Sequence, residues 1–276
     1  MRERDSLVAA AGVVLALGVT AYLLVVSITA GSLSLPSGGI RKDNPGTEGL
    51  IYSEDFDQGL SGWILIGNPQ PGIREDAGNP PPCFDSRGDD LWDNFAVATT
   101  RFDYSDGLIL QCDIYLNDSH IEGCWVDGLF RLAREEAGGG AVMQVSYRVI
   151  GEACWGNPPG ERGHAYRDFG IMNESGTYEW DTRFVEEDLG EWHRYTVVIR
   201  PDRTVDFYVD GEFAYRTEDK IAPSESGLYL VIGNRSHRIY GPALIDTIRV
   251  YSYSKETAEY LTTDPGHMTF EPSPST

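Results

Sequence analysis

Short runs with a period of two dominate the pattern of hydrophobic and polar positions from residue 50 onward. In the run 205–209 the odd positions are apolar while Asp206 faces the other way, which is typical of a strand rather than a helix. Asp210-Gly211, directly after this run, is a two-residue hairpin signal. The pattern from Glu191 to Tyr253 therefore predicts an antiparallel meander that closes with a strand at 245–251. Within it, the run 196–200 predicts a strand covered on both faces.

Earlier runs rich in β-branched and aromatic residues predict six more strands. They are 95–102, 108–116, 124–133, 141–150, 164–172 and 177–185, the last two forming a hairpin around residues 173–176. Two long irregular segments, 68–90 and 153–162, are predicted to be loops. Residues 255–261 are predicted to form one helical turn before a frayed tail.

The first 49 residues have a different pattern. Residues 7–28 carry no charge, and about 20 such residues suffice to span a bilayer as a helix. We therefore predict a flank at 1–6, a transmembrane helix or signal anchor at 7–29, a Ser-, Gly- and Pro-rich linker at 30–49, a folded domain at 50–253 and a tail at 254–276. A cleaved signal peptide ending at Ala30 is the alternative, although Ile28 is larger than the residue usual at that place.

Composition and charge limit the classes of partner that the protein can bind. The 276 residues are 41% hydrophobic, which is enough for a buried core, and the 31 glycines and 15 prolines are typical of a turn-rich all-β protein. The formal net charge is −21. Such a surface repels nucleic acid, so a nucleic-acid partner is not expected.

Several segments of the chain resemble a known family. Trp192 precedes a β run, Tyr-Val-Asp-Gly ends at Gly211, Leu-Tyr-Leu-Val-Ile-Gly-Asn ends at Asn234, and Ile-Asp-Thr-Ile-Arg-Val-Tyr ends at Tyr251. Together they resemble the concanavalin A-like lectin/glucanase (laminin-G-like) jelly-roll superfamily. Glu-Asp-Phe-Asp from Glu54 looks like its usual first strand. The resemblance implies an all-β, two-sheet antiparallel jelly-roll sandwich, here preceded by one N-terminal transmembrane helix.

Glycosidases of this superfamily carry alternating carboxylates on one strand, because alternation places them on one face of the sheet. Glu179-Trp180-Asp181 begins such a pattern, but Arg183 stands where the third carboxylate should be. We therefore expect no catalytic residues of that class. A lyase would need a His, Tyr and Arg set, for which His164, Tyr166 and Arg167 are present in the sequence.

Sugar sites combine aromatic platforms with amide and carboxylate groups. Trp155 is the first choice for such a platform, because its loop is polar and Pro-rich. The other predicted ligand-binding residues are Trp125, Tyr166, Asp127, Asn234 and Tyr240.

The resemblance also implies a structural calcium ion. An Asp in the closing strand of similar proteins often joins the first strand around Ca²⁺, which takes about six to eight oxygen ligands. Asp246 is that residue here, with Glu54 and Asp57 as partners. The alternative is that Asp246 accepts hydrogen bonds from a neighbouring loop.

Four cysteines follow the membrane-targeting segment, and an even number in that setting suggests disulfides. The candidates are Cys83, Cys112, Cys124 and Cys154, which permit three connectivities. Cys83 with Cys154 would join the two long loops. Buried free thiols are the alternative.

Three Asn-x-Ser/Thr sequons, at Asn117, Asn173 and Asn234, are predicted to lie in loops.

Taken together, these patterns favour a membrane-anchored, extracytoplasmic, non-catalytic module that binds a carbohydrate or glycoconjugate. The expected location is the cell membrane, with a single span and the C-terminal domain outside the cytoplasm. One alternative is a structural or protein-adhesion module without a sugar site. Another is a divergent polysaccharide hydrolase or lyase.

Overall fold

The computed structural model describes residues 48–87, 93–116, 129–150, 164–185, 190–223, 227–235 and 243–263. The side chains of 147–150, 164–166, 182–185 and 235 lie outside this description. The described strands are β1 Leu50–Glu54, β2 Trp63–Ile66, β3 Gly72–Arg74, β4 Cys83–Asp85, β5 Asp93–Phe102, β6 Leu108–Leu116, β7 Phe130–Ala133, β8 Ala141–Ile150, β9 His164–Met172, β10 Tyr178–Val185, β11 Trp192–Ile199, β12 Val205–Val209, β13 Glu212–Arg216, β14 Leu228–Arg235 and β15 Ala243–Ser252. One helix, α1, spans Lys255–Thr263.

The strands form two antiparallel sheets. The eight-stranded sheet has the order β13-β12-β11-β6-β15-β4-β3, with β1 also paired to β15. The seven-stranded sheet has the order β10-β9-β8-β7-β14-β5-β2. This arrangement confirms the predicted all-β fold and is consistent with a jelly-roll sandwich.

No helix in the described part of the chain is long and apolar enough to cross a membrane. The span predicted at residues 7–28 lies outside that part.

The hydrophobic core lies between the two sheets and takes every second residue of the long strands. Leu110, Val197 and Phe207 enter it from the eight-stranded sheet, and Phe169 and Leu230 enter it from the seven-stranded sheet. The rings of Phe169 and Phe207 meet across the interface, with centroids 5.0 Å apart. Because alternate residues are committed to this core, the other half of each strand faces outward.

The hairpins confirm the turn chemistry read from the sequence. Asp210 and Gly211 have φ angles of +52° and +79°, and Val209 pairs with Glu212 across them. A turn with φ above zero at both central residues matches the twist of the flanking strands, and Asp-Gly is among its preferred sequences. The β9–β10 hairpin also forms as predicted, with Met172 opposite Tyr178.

The segment 68–90 differs from its prediction as one long loop. It contains β3 and β4, which extend the eight-stranded sheet beyond β15. Phe84 enters the core, while Cys83 packs on the other side with Trp192 and Leu244. Strands of only three residues show no period, which is why the pattern does not reveal them.

The outer face of the eight-stranded sheet is largely covered. At one end, Leu261 of α1 packs on Ile109, Val198 and Tyr251, so β11 is covered on both faces as predicted. In the middle, the fully buried Asp113 accepts two hydrogen bonds from Arg194, at 2.7 and 2.8 Å. This face is therefore closed by apolar packing and by paired charges.

The Asp113–Arg194 pair yields a stability prediction. Asp113→Asn should reduce the free energy of unfolding by about 3 kcal/mol, because it leaves a mostly buried guanidinium without its counter-charge. Adding Arg194→Met should restore much of the loss, since the double variant leaves no unpaired charge at this place. Urea unfolding of a protein starting near residue 44 measures both effects. A single variant as stable as the wild type would contradict the importance of this pair.

Candidate functional site

The outer face of the seven-stranded sheet changes character from one side to the other. Residues directly opposite one another on neighbouring strands point to the same face. The strand registers place one such row across the whole sheet: Ile64, Val97, Val231, Arg131, Gln144, Gly170 and Trp180. This row runs from aliphatic through polar to aromatic.

The aliphatic side of the row is buried and covered by a turn. Phe95, Val97, Tyr229 and Val231 form a buried cluster there. Gly138, in the β7–β8 turn, lies against it: a Cβ at this position would come within 2.9 Å of the Phe95 ring. Gly138 also has a φ of +72°, so the residue suits both the turn and the close approach. A ligand cannot reach this half of the face without displacing the turn.

The opposite side of the row is an exposed aromatic pair on β10. Trp180 is 45% exposed and Tyr178 is 37% exposed. Their rings are nearly parallel, with an interplanar angle of 20° and centroids 5.5 Å apart. Tyr178 reaches across β9, since its hydroxyl donates to the carbonyl of Ala141 on β8. We call this pair the aromatic platform.

Gly170 is what allows the indole to lie across β9. A Cβ on Gly170 would come within 2.4 Å of Cε3 and 2.5 Å of Cζ3 of Trp180. These distances are far below van der Waals contact, so any larger residue would force the indole to move. A Gly within a strand often marks such a close approach. The platform is therefore shaped by residues on two strands.

Polar groups border the platform on the side of β8. The Gln144 side chain donates to the Ser146 hydroxyl at 2.5 Å, and Ser146 stands opposite the half-buried Asp168. Strands are spaced about 4.8 Å apart, so Gln144 lies about 10 Å from β10. That span is comparable to one or two sugar rings. The site combines an exposed aromatic surface with the half-buried carboxylate of Asp168, while Gln144 and Ser146 are buried, with 6% and 3% of their surface exposed.

The carboxylates of β10 do not share this face. Glu179 accepts the backbone N–H groups of Glu218 at 2.7 Å and Asp219 at 2.9 Å, and it also accepts the Tyr215 hydroxyl. It thus ties the edge of one sheet to the segment after β13 of the other. The carboxylate pattern that begins at Glu179 points away from the platform.

Two of the six predicted ligand residues, Tyr166 and Asn234, belong to the described part of the chain. Trp125, Asp127, Trp155 and Tyr240 lie outside the described residues, and Tyr166 belongs to β9 although its side chain is not described. Asn234 is completely buried in β14, opposite Asn94. A loop position for Asn234 was therefore wrong, and its burial gives no support to a role in ligand binding.

The aromatic platform itself was missed by the sequence reasoning. In the sequence, Trp180 is notable only as the residue between two carboxylates, and Tyr178 belongs to no motif. The signal that could have found the platform is Gly170, an isolated glycine within a predicted strand. Recognising its partner needs the β9–β10 register, which aligns Gly170 with Trp180.

The residues predicted to bind calcium have other contacts. Asp246 accepts the N–H groups of Asn79 at 2.6 Å and Thr247 at 2.7 Å, which matches the alternative of a loop contact. Glu54 accepts the Phe56 N–H at 2.8 Å and the Trp63 indole N–H at 3.1 Å, while Asp57 is exposed. Among the described residues, no three His, Cys, Asp or Glu side chains converge as a metal site. Calcium here stays a prediction from the resemblance, without support from these contacts.

Cys83 and Cys112 are buried and free, so the disulfide prediction finds no support at either residue. Cys83 packs outside the eight-stranded sheet and Cys112 inside it, which separates the two thiols. Burial raises the pKa of Cys83 to about 12, with Asp246 and Asp85 adding to the shift. The remaining candidates, Cys124 and Cys154, lie outside the described residues.

The environment of Asp246 predicts a pH dependence of stability. Burial raises its pKa to about 7 from a usual value of 3.8; the Asn79 and Thr247 N–H groups lower it, and the charges of Asp113 and Asp55 raise it further. The folded state therefore holds a proton that the unfolded chain releases, so this residue lowers stability as pH rises from about 4 to about 7.

Asp246→Asn cannot titrate, so its stability should fall less over the same interval. Melting temperatures of both proteins across that interval, in a chelating buffer, provide the comparison. The quantity to compare is the slope of the melting temperature against pH, because the substitution also changes the hydrogen bonds at this position. Equal slopes would show that Asp246 does not cause the pH dependence of stability.

Comparison with known proteins gives a family match and a likeness in fold. Residues 163–259 match the model of a family described as the concanavalin A-like lectin/glucanases superfamily. A comparison with curated proteins finds no match. The T. cruzi calreticulin globular domain is similar in fold, with 12% identity and a TM-score of 0.53 over 78% of this chain and 92% of that chain.

The receptor binding domain of botulinum neurotoxin D is also similar in fold, with 9% identity and a TM-score of 0.51. The likeness covers 79% of this chain but only 53% of the toxin domain, so the chain spans about half of its length. At such low identity the likeness concerns the fold alone. The match at 163–259 shows similarity to this superfamily over that segment, and the two structures show a likeness of fold over most of the chain.

Proposed function

We propose that the domain binds a carbohydrate or glycoconjugate at the aromatic platform without cleaving it. The observation that carries the proposal is the exposed Trp180 ring, which occupies the space left by Gly170 beside the polar groups of β8 and β9. Large aromatic rings are usually buried, and an exposed pair next to hydrogen-bonding groups is typical of a recognition surface.

The chemistry of the platform suits a sugar. The C–H faces of a pyranose pack on flat aromatic rings, while its hydroxyl groups need donors and acceptors at the edge of the rings. The half-buried Asp168 supplies an acceptor beside the platform, and the buried Gln144 and Ser146 lie next to it on β8. An open site of this size should bind single sugars weakly, with a Kd of about 1 mM or about −4 kcal/mol. Useful strength would come from many copies on one surface.

The contacts of Glu179 support binding without hydrolysis. Glycosidases place two carboxyl groups on either side of the scissile bond, about 5–10 Å apart. Glu179 is engaged by two backbone N–H groups and faces away from the platform. Asp168, on the platform side, stands opposite Ser146 and Thr182 in the strand register.

A protein-adhesion role is the second candidate, because an exposed Trp–Tyr pair on an edge strand also suits a protein surface. The domain of botulinum neurotoxin D that is similar in fold is a receptor binding domain, which accords with a recognition role of either kind. The half-buried Asp168 carboxylate beside the rings favours the sugar.

We also propose that residues 7–28 anchor the protein in the cell membrane, with the domain outside the cytoplasm. The support is the uncharged length of this segment, followed by a linker rich in Ser, Gly and Pro. Many protein molecules anchored in one membrane in this way would present many copies of a weak binding site together.

Binding can be tested with two variants that act on the platform differently. Trp180→Ala removes the indole, while Gly170→Val keeps it but fills the space beneath it. Each should weaken retention on the preferred polysaccharide about tenfold or more, since 1.4 kcal/mol of lost contact is a factor of ten. Phe213→Ala is the matched control, because Phe213 is 57% exposed on the other sheet. Affinity electrophoresis over neutral and acidic polysaccharides provides the measurement.

Three results would contradict this proposal. Retention on no polysaccharide, with a protein partner lost in Trp180→Ala, would favour the adhesion module. New reducing ends or unsaturated products above a boiled control would show an enzyme. Equal losses in Phe213→Ala and Trp180→Ala would point to a non-specific apolar surface.

The anchor has a separate test. The full-length protein should need detergent for extraction, while a protein starting near Asn44 should be soluble, because it lacks the apolar segment. Mass spectrometry of the native N-terminus checks the alternative. A terminus at Gly31 or Ser32 would show a cleaved signal peptide and contradict the anchor.

A further inference from the structure

The turn between β9 and β10 contains an Asn-x-Ser sequon at Asn173, which is more exposed than the sequon residue Asn234. Asn173-Glu174-Ser175 occupies the turn, and the Gly176 N–H donates to the Asn173 carbonyl at 3.0 Å. Glu174 and Ser175 are exposed, and Asn173 is half-buried. Residues 173–175 line an open polar depression together with Asp219 and Lys220. The sequon is thus accessible at the edge of the sandwich.

The side chain of Asn173 is held in one orientation. Its Oδ1 accepts the Ser175 hydroxyl at 2.7 Å, the Thr177 N–H at 3.0 Å and the Ser175 N–H at 3.1 Å. Its Nδ2 donates to the exposed carboxylate of Asp219 at 2.7 Å. Three donors on one carbonyl oxygen draw electron density from the amide nitrogen and make its N–H more acidic. The same contacts direct Nδ2 toward the open depression.

We propose that Asn173 is an N-glycosylation site of this protein. In the modification, Asn173 Nδ2 forms a bond to the anomeric carbon of an oligosaccharide carried on a lipid pyrophosphate. The bond between that carbon and the pyrophosphate oxygen breaks, and the pyrophosphate leaves with the electron pair. The N–H proton passes to a base of the transferase. The Ser175 hydroxyl positions and polarises the amide during this step.

The sequon at Asn234 provides the contrast. Asn234 has the required Ser two residues later, but it is completely buried within β14. A transferase that acts on the folded protein cannot reach it, because β14 is an interior strand of the seven-stranded sheet. Sequence alone treats the two sites as equal, since both satisfy Asn-x-Ser. Burial distinguishes the two sites, because Asn173 is half-buried and Asn234 is completely buried.

Trypsin should release the two sites in separate peptides, because Arg or Lys precedes and ends each one: 168–183 carries Asn173 and 221–235 carries Asn234. Mass spectrometry of the full-length protein, purified from the cells that make it, should show a saccharide mass on the first peptide and none on the second. An unmodified 168–183 peptide would overturn the proposal, whatever the state of Asn117. A saccharide on 221–235 would contradict the role of burial.

Two substitutions test the contribution of Ser175. Ser175→Ala removes the hydroxyl that contacts Asn173 Oδ1 and should reduce occupancy of the 168–183 peptide to background. Ser175→Thr keeps a hydroxyl at that place and should retain the modification. Undiminished occupancy in Ser175→Ala would overturn the positioning by Ser175. The melting temperature of each variant is the folding control, which keeps this test independent of the platform.

Discussion

The alternation of side chains along two packed sheets determines what the rest of this structure can do. Every second residue of the long strands is committed to the core between the sheets, so the remaining half must be either covered or exposed. On the eight-stranded sheet, α1 and the Asp113–Arg194 pair cover it. On the seven-stranded sheet, the turn at Gly138 covers the aliphatic side. The β10 edge is where the described part of this sheet leaves large aromatic rings exposed.

Gly170 converts that exposed edge into a shaped surface. A strand residue without a side chain costs stability, since it packs nothing and gains no β preference. Here the missing side chain gives room to the Trp180 ring, which lies against the neighbouring strand instead of projecting freely. An aromatic ring fixed in this way loses little freedom when a ligand packs on it, which favours binding. The same argument gives Gly170 a functional role without any contact to the ligand.

Local patterns in the sequence predicted the parts of the fold that depend on local chemistry. The period of two revealed the long strands, Asp210-Gly211 revealed a hairpin, and the helical segment at 255–261 lies within α1. The three-residue strands β3 and β4 are too short to show a period. The platform needs the register between β9 and β10, and the burial of Asn234 needs the position of β14. Long-range pairing determines both, so a single sequence does not reveal them.

The most direct test of the platform follows its indole N–H signal during a sugar titration. In a two-dimensional NMR spectrum the six tryptophans give separate indole signals, which single substitutions assign. With an oligosaccharide of the preferred polysaccharide, the Trp180 signal should shift in a saturable way, while those of the buried Trp63 and Trp192 stay in place. A constant Trp180 signal, with saturable shifts at Trp155 or Trp125 instead, would contradict the assignment of the site to β10.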